Sequence, residues 1–229
     1  MILALAAALA AAQPAAAPCP DVVTPDAFIC RAIHATAEQK PDVAAQAFEQ
    51  AAQALDSSNP QVVKLYAAAG NSWISAGQPG KAALDLDRAL AGTGLEAEQR
   101  GEVLLDRARA AEAQNDLGTA RAKVNEAAQT ISDDPFLWFF SAALAIREND
   151  PATAKSSIGR ALSLAPADPM ILFEAGHVAQ FTGDTVGARD YWNRTIERDP
   201  NGDAGQQARE ALKLLPVPLT VQGAPKEPK

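Results

Sequence analysis

The chain has 229 residues, 48% hydrophobic but only 5% aromatic, with a formal charge of -8. That length accommodates one large domain or two small ones, and a core drawn largely from alanine favours closely approaching helices and a thin interior. An excess of 28 acidic over 20 basic residues excludes a phosphate-binding face, which needs clustered cations, so nucleic acid is not an expected partner.

Residues 2–12 are an unbroken apolar run, and Ala10, Ala11 and Ala12 meet the A-x-A cleavage rule ahead of Gln13. The pattern predicts a secretory signal peptide over residues 1–12, or to 17 with later cleavage. The alternative is an ordinary Ala-rich end, which the absence of a basic residue after Met1 favours. The run falls short of the ~20 residues a membrane-spanning helix needs, so no stable membrane insertion is expected once it is removed. Ala17 and Pro18 ahead of Cys19 do not resemble a lipoprotein acylation site. Residues 13–23 read as flexible. Cys19 and Cys30, an even pair close in sequence, fit one disulfide that staples this stretch to the first helix, or else two free thiols.

From residue 24 the sequence is periodic. Ala120, Ala154 and Ala188 recur at 34 residues, as do Ala108, Ala142 and Gly176, then Val124, Ile158 and Trp192, and then Ser132, Pro166 and Pro200. A period near 34 signals stacked helix pairs. An earlier unit, offset by an insertion of four residues, places Gly70, Ala82, Leu86 and Ala89 in the same columns. A degraded first unit offers Phe28, Ala32, Ala44, Phe48 and Ala51 but shows no turn residue. The units run over about 25–58, 60–96, 101–134, 135–168 and 169–200.

Each column has a physical reason. Antiparallel helices approach to about 8 Å only where small residues meet. Gly77, Asn115, Asn149 and Gly183 share the column between the helices, and Gly and Asn readily adopt the left-handed conformation that ends a helix. First helices open at Thr24-Pro25, Asn59-Pro60, Asp134-Pro135 and Asp168-Pro169, each a capping side chain before a proline. After Pro200 the spacing of Ala204, Ala208, Ala211, Leu212 and Leu215 predicts a solvating cap helix over 203–215. Residues 216–229 hold the remaining prolines and read as a disordered tail.

With these columns in place, the chain resembles the tetratricopeptide repeat (TPR) family over roughly residues 25–215. Trp138, Ala142, Ala154, Ile158, Ala161 and Pro166 fall on the family pattern in one unit, and Leu172, Gly176, Ala188, Trp192 and Pro200 in the next, where Thr195 departs from the usual Ala. The resemblance implies an all-α, right-handed superhelical solenoid of about five helix pairs plus a C-terminal capping helix. It also implies a concave groove, lined by first helices, that grips an extended peptide or a helix of a partner.

The family's groove positions project onto Lys64, Asn71, Leu105, Arg109, Glu112, Phe136, Phe139, Arg147, Met170, Phe173, His177 and Phe181. Four of the seven phenylalanines fall on the last two units of this wall, and a Phe stripe at this spacing fits either core or a partner contact. Arg109, Arg147 and His177 suggest a partner segment bearing a carboxylate. Lys64 and Asn71 echo only part of the carboxylate clamp known in some relatives. Trp73, Trp138 and Trp192 fall on packing columns.

Nothing points to chemistry. His34 and His177 lie in different repeats, and no phosphate loop, HExxH or zinc-spaced Cys and His set is present. Asp133 and Asp134 are explained by capping. No cofactor or metal is expected. The sequence therefore predicts a non-catalytic, periplasmic binding module for a protein or peptide of the cell envelope. A self-assembling structural unit and a small-ligand receptor are the rival readings.

Overall fold

The computed structural model describes residues 18–215, in which eleven helices and no strand are found. The segment read as a signal peptide before them and the Pro-rich tail after them lie outside the described residues. In chain order the helices are α1 (Pro25–Ala37), α2 (Pro41–Gln53), α3 (Gln61–Ser75), α4 (Pro79–Ala91), α5 (Ala97–Ala113), α6 (Leu117–Ala127), α7 (Pro135–Arg147), α8 (Pro151–Leu164), α9 (Pro169–Phe181), α10 (Thr185–Arg198) and α11 (Asp203–Leu214). The first ten form five antiparallel hairpins, each packed on the next, and α11 closes the stack against α10 and α9.

Local chemistry accounts for the helix boundaries. Thr24, Asp134 and Asp168 accept hydrogen bonds from first-turn amides of α1, α7 and α9. At Asn59-Pro60 the helix begins one residue later than the sequence suggests: Pro60 is the cap itself, and Asn59 Oδ1 accepts from the Gln61 amide at 2.9 Å. Second helices carry equally clear signals. Pro41, Pro79 and Pro151 open α2, α4 and α8, and Asp116, Asp150 and Asp184 cap α6, α8 and α10.

All four residues of the turn column are left-handed, with φ of 67° at Gly77, 61° at Asn115, 58° at Asn149 and 83° at Gly183. In each hairpin the following amide then donates back across the turn, as from Asp116 N to Ala111 O and from Asp150 N to Ala145 O, both 2.9 Å. The first hairpin, which lacks a turn residue in sequence, is built the same way. Gln39 takes φ 57° there, and Lys40 N donates to Ala35 O at 2.8 Å.

Between the two helices of a hairpin the small residues are sealed from solvent. Ala32, Ala108 and Ala142 on first helices, and Ala82, Ala120, Ala154 and Ala188 on second helices, are all 0% exposed. At Gly176 a methyl group would sit 2.2 Å from Trp192 Nε1, and at Gly70 it would sit 2.5 Å from Leu86 Cγ. These two glycines therefore seat the large residues of the facing helix, and Trp192 and Leu86 are themselves buried. The interior is a string of local clusters running along the stack from one hairpin to the next. Thr195, unusual for its column, is buried but satisfied, because its hydroxyl donates to Tyr191 O at 3.0 Å.

The junction between the third and fourth hairpins is held by polar groups as well. Arg121 of α6 donates to Ser141 Oγ (2.8 Å) and Ser141 O (3.1 Å) of α7 and to Glu148 Oε2 (2.6 Å) at its end, while Ser141 Oγ also meets Ser157 Oγ of α8 at 2.9 Å. Every member of this chain of contacts has a partner, which makes its burial affordable.

Within the stretch read as flexible, residues 18–23 carry two fastenings to α1. Cys19 and Cys30 are joined in a disulfide, with Cα atoms 5.8 Å apart. Independently, Arg31 Nη2 donates to the carbonyls of Pro20 (3.4 Å) and Val22. The segment entering α1 is thus fastened twice.

Candidate functional site: the inner wall

Odd-numbered helices form the layer in which helices not adjacent in sequence also meet, α3 with α5, α7 with α9 and α9 with α11. That approach places them on the inside of the curve, and α3, α5, α7 and α9 carry the residues projected onto the groove.

The wall begins with polar rungs. Asn71 of α3 donates from Nδ2 to Asp106 Oδ2 on α5 at 2.8 Å, and Arg109 Nη1 donates to Asp106 Oδ1 at 2.8 Å. Arg109 also lies over the Phe136 ring of α7, 5.7 Å from its centroid. One rung further on, Arg147 of α7 pairs with the Glu112 carboxylate of α5 and donates to Glu112 O and Asn115 Oδ1, both at 2.9 Å. Lys64 stands exposed on α3.

These contacts change the charge reading of the wall. Arg109 and Arg147 do not present free positive charge, because each is neutralised by an acid of α5. Nor does His177 supply a cation: burial holds its pKa below the ordinary imidazole value, leaving the ring neutral near pH 7. Leu105 is likewise corrected, being 4% exposed and part of the core cluster between α5 and α7.

The aromatic end divides into surface and foundation. Phe136 and Met170, 36% and 54% exposed, stand on the surface of α7 and α9. Phe139 stacks on Phe136 with centroids 5.4 Å apart while its other side packs into the core. Phe173 and His177 are half-buried and tied to Trp192. The rings of Phe173 and His177 are 4.5 Å apart, His177 meets Trp192 edge-on at 5.6 Å, and Trp192 Nε1 donates to Phe173 O at 3.1 Å. Phe181 packs against the cluster between the last two hairpins. Trp73 and Trp192 are 1% exposed, in keeping with their packing columns, while Trp138 is half-buried and donates to Ser132 O at 2.7 Å.

Two buried acids escaped the sequence reading. Glu174, beside Phe173 on α9, is 9% exposed, and burial pushes its pKa up to about 7. Its only sequence signal is an acid set within the apolar run from Met170 to Ala175. Asp85 of α4 is 1% exposed, and burial together with neighbouring Glu49 raises it to about 6 against the pull of Arg88. Asp85 Oδ2 is buried without a hydrogen-bond partner among the described residues. Glu49 in turn accepts from Trp73 Nε1 at 2.7 Å.

No family model matches the chain, and no curated protein sequence matches it. Solved structures do. PilW, a widely conserved type IV pilus biogenesis factor, superposes with a TM-score of 0.68 at 17% identity, covering 81% of this chain and 82% of that one. YrrB, a TPR protein with an unusual peptide-binding site, gives a TM-score of 0.60 at 18% identity over 82% of this chain and 91% of its own. TTC0263, a TPR protein of Thermus thermophilus, gives 0.63 at 18% identity over 83% of this chain and all of its own. Identity at this level speaks for the fold alone, and that fold coincides with the columns, turns and hairpin stacking described above. The chain is a solenoid of the tetratricopeptide-repeat fold, with five helix pairs and a closing helix among the described residues.

Proposed function

We propose that the protein is a non-catalytic interaction module that holds a segment of another protein along its inner wall, with Phe136 and Met170 as the apolar contacts. The observation that carries this reading is the placement of these two side chains. They are large, exposed and mounted on adjacent inner helices, beside the half-buried Phe139 and Phe173. Exposed apolar residues grouped on a rigid surface favour a protein partner. YrrB, of the same fold, is described as having a peptide-binding site, which supports the same direction.

We further propose that the protein works in the periplasm, on a partner of the cell envelope. The apolar run at residues 2–12 with its small residues before Gln13 supports export, and a disulfide between Cys19 and Cys30 suits an oxidising compartment. N-terminal sequencing of the protein from fractionated cells tests the location. A mature chain beginning at Gln13 or shortly after, in the periplasmic fraction, is the expected result, and an intact Met1 in the cytoplasm refutes it.

The binding reading is tested by affinity capture with the wild type and with Phe136→Asp plus Met170→Asp. Both positions are exposed, so the fold tolerates the change, and helix content by circular dichroism verifies this. A partner retained by the wild type and lost by the variant is expected. A partner set unchanged by the double substitution removes the inner wall from the account.

A further inference from the structure

The N-terminal edge brings together three side chains of metal-binding chemistry, away from the inner wall. Cys19 Sγ, Cys30 Sγ and a ring nitrogen of His34 all lie within 4.8 Å of one another, and all three residues are half-buried, within reach of solvent. Cys30 and His34 are four residues apart on α1, so one helical turn aims both at the same side. Cys19 is delivered from the preceding segment. The depression beside them is lined by Asp26, Ile29, Cys30, Ile33 and His34.

In the disulfide form the two sulfurs are bonded to each other and have no thiolate to offer. What happens on reduction depends on whether Cys19 stays where it is. The second fastening described above answers this: Arg31, itself stacked on Phe28 with its guanidinium 4.6 Å from the ring centroid, holds the carbonyls of Pro20 and Val22 without any help from the sulfurs. Thr24, capping α1, fixes the end of the same segment. Breaking the S–S bond therefore frees two thiols that remain side by side next to an imidazole.

We propose that reduction of Cys19–Cys30 creates a metal site in which both cysteine sulfurs and His34 bind a single thiophilic divalent cation of the Zn2+ class. A dithiol reductant gives up two electrons and two protons, becoming a disulfide, and the protein disulfide becomes two thiols. Binding of Zn2+ then displaces the two thiol protons to solvent, and His34 adds a ring-nitrogen lone pair. Two thiolates and one imidazole leave the fourth tetrahedral position open for water or an outside ligand. The edge is thus a redox-gated cation site, closed when oxidised.

The test uses the full mature chain in three forms: oxidised, reduced with a phosphine that is then removed under argon, and reduced His34→Ala. Zn2+ affinity is read by competition with a chromophoric chelator, and Cd2+ is added separately to read the thiolate-to-metal charge-transfer band. Reduced wild type is expected to take up one Zn2+ per chain and to show the band, the oxidised chain to do neither. His34→Ala is expected to bind roughly tenfold or more weakly, since even outer-sphere partners are worth that much. Cys19→Ser, measured reduced, is expected to lose the site while keeping its helix content. Equal binding by the oxidised chain places the cation elsewhere and overturns the proposal, and so does undiminished binding by His34→Ala. Loss of helix content on reduction alone also overturns it, because the site requires the segment to stay in place.

Discussion

Gln39 is a non-glycine residue held at φ 57° in a turn that its counterparts fill with Gly or Asn. The left-handed region costs an ordinary L-residue about 1–2 kcal/mol, partly offset in Gly by the entropy of the unfolded chain. Gln39→Gly is accordingly expected to raise stability by about 0.5–1 kcal/mol, measured as a higher denaturant midpoint with an unchanged slope. Glu174 makes a pH prediction. Its pKa rises from an ordinary 4.5 to about 7, so its neutral form suits the fold. The associated stability is complete below pH ~4.5 and is lost as pH climbs through 7. Glu174→Gln removes that loss. The variant is expected to exceed the wild type by on the order of 3 kcal/mol at pH 8, with the difference all but gone near pH 4.5 in a series of thermal melts. Asp85 adds its own slope between its ordinary value of 3.8 and about 6, but does so equally in both proteins, so the difference isolates Glu174.

At the scale of helices, the close approach of a hairpin's two members depends on which side chains are missing. Gly176 and Gly159 separate this requirement from helix propensity. A methyl group at Gly176 would run into Trp192 and dislodge its hydrogen bond to Phe173 O, whereas one at Gly159 on α8 meets nothing within 4 Å. Gly176→Ala should cost about 2 kcal/mol by overpacking, while Gly159→Ala should gain about 0.5–1 kcal/mol of helix preference. Opposite signs in urea denaturation are the expected outcome. Much of this scale is legible in sequence because it is specified locally: small residues at 34-residue spacing, a left-handed turn residue, an Asp or Thr before a proline. What escaped is set by contacts between elements. Gln39 gives no local sign that its neighbours force it left-handed. The pairing of Arg147 with Glu112 depends on how rungs of successive helices align, which periodicity alone does not fix, whereas Arg109 and Asp106 are three residues apart on α5 and their pairing is open to a local reading. The acids that meet the two arginines of the wall are therefore legible in one case and hidden in the other.

Across the whole molecule, five hairpins joined edge to edge leave one face of odd helices turned inward and one of even helices turned outward. Exposed apolar residues exist on both, Phe136 and Met170 inside, Leu84 and Val186 on α4 and α10. The distinction between them is what the account of this protein turns on, and a photo-crosslinking amino acid placed singly at these four positions measures it. Crosslinks between the captured partner and positions 136 and 170, with none at 84 and 186, are the predicted result. Crosslinks at positions 84 or 186 with none at 136 and 170 would contradict it, and would move recognition to the outer face of the stack.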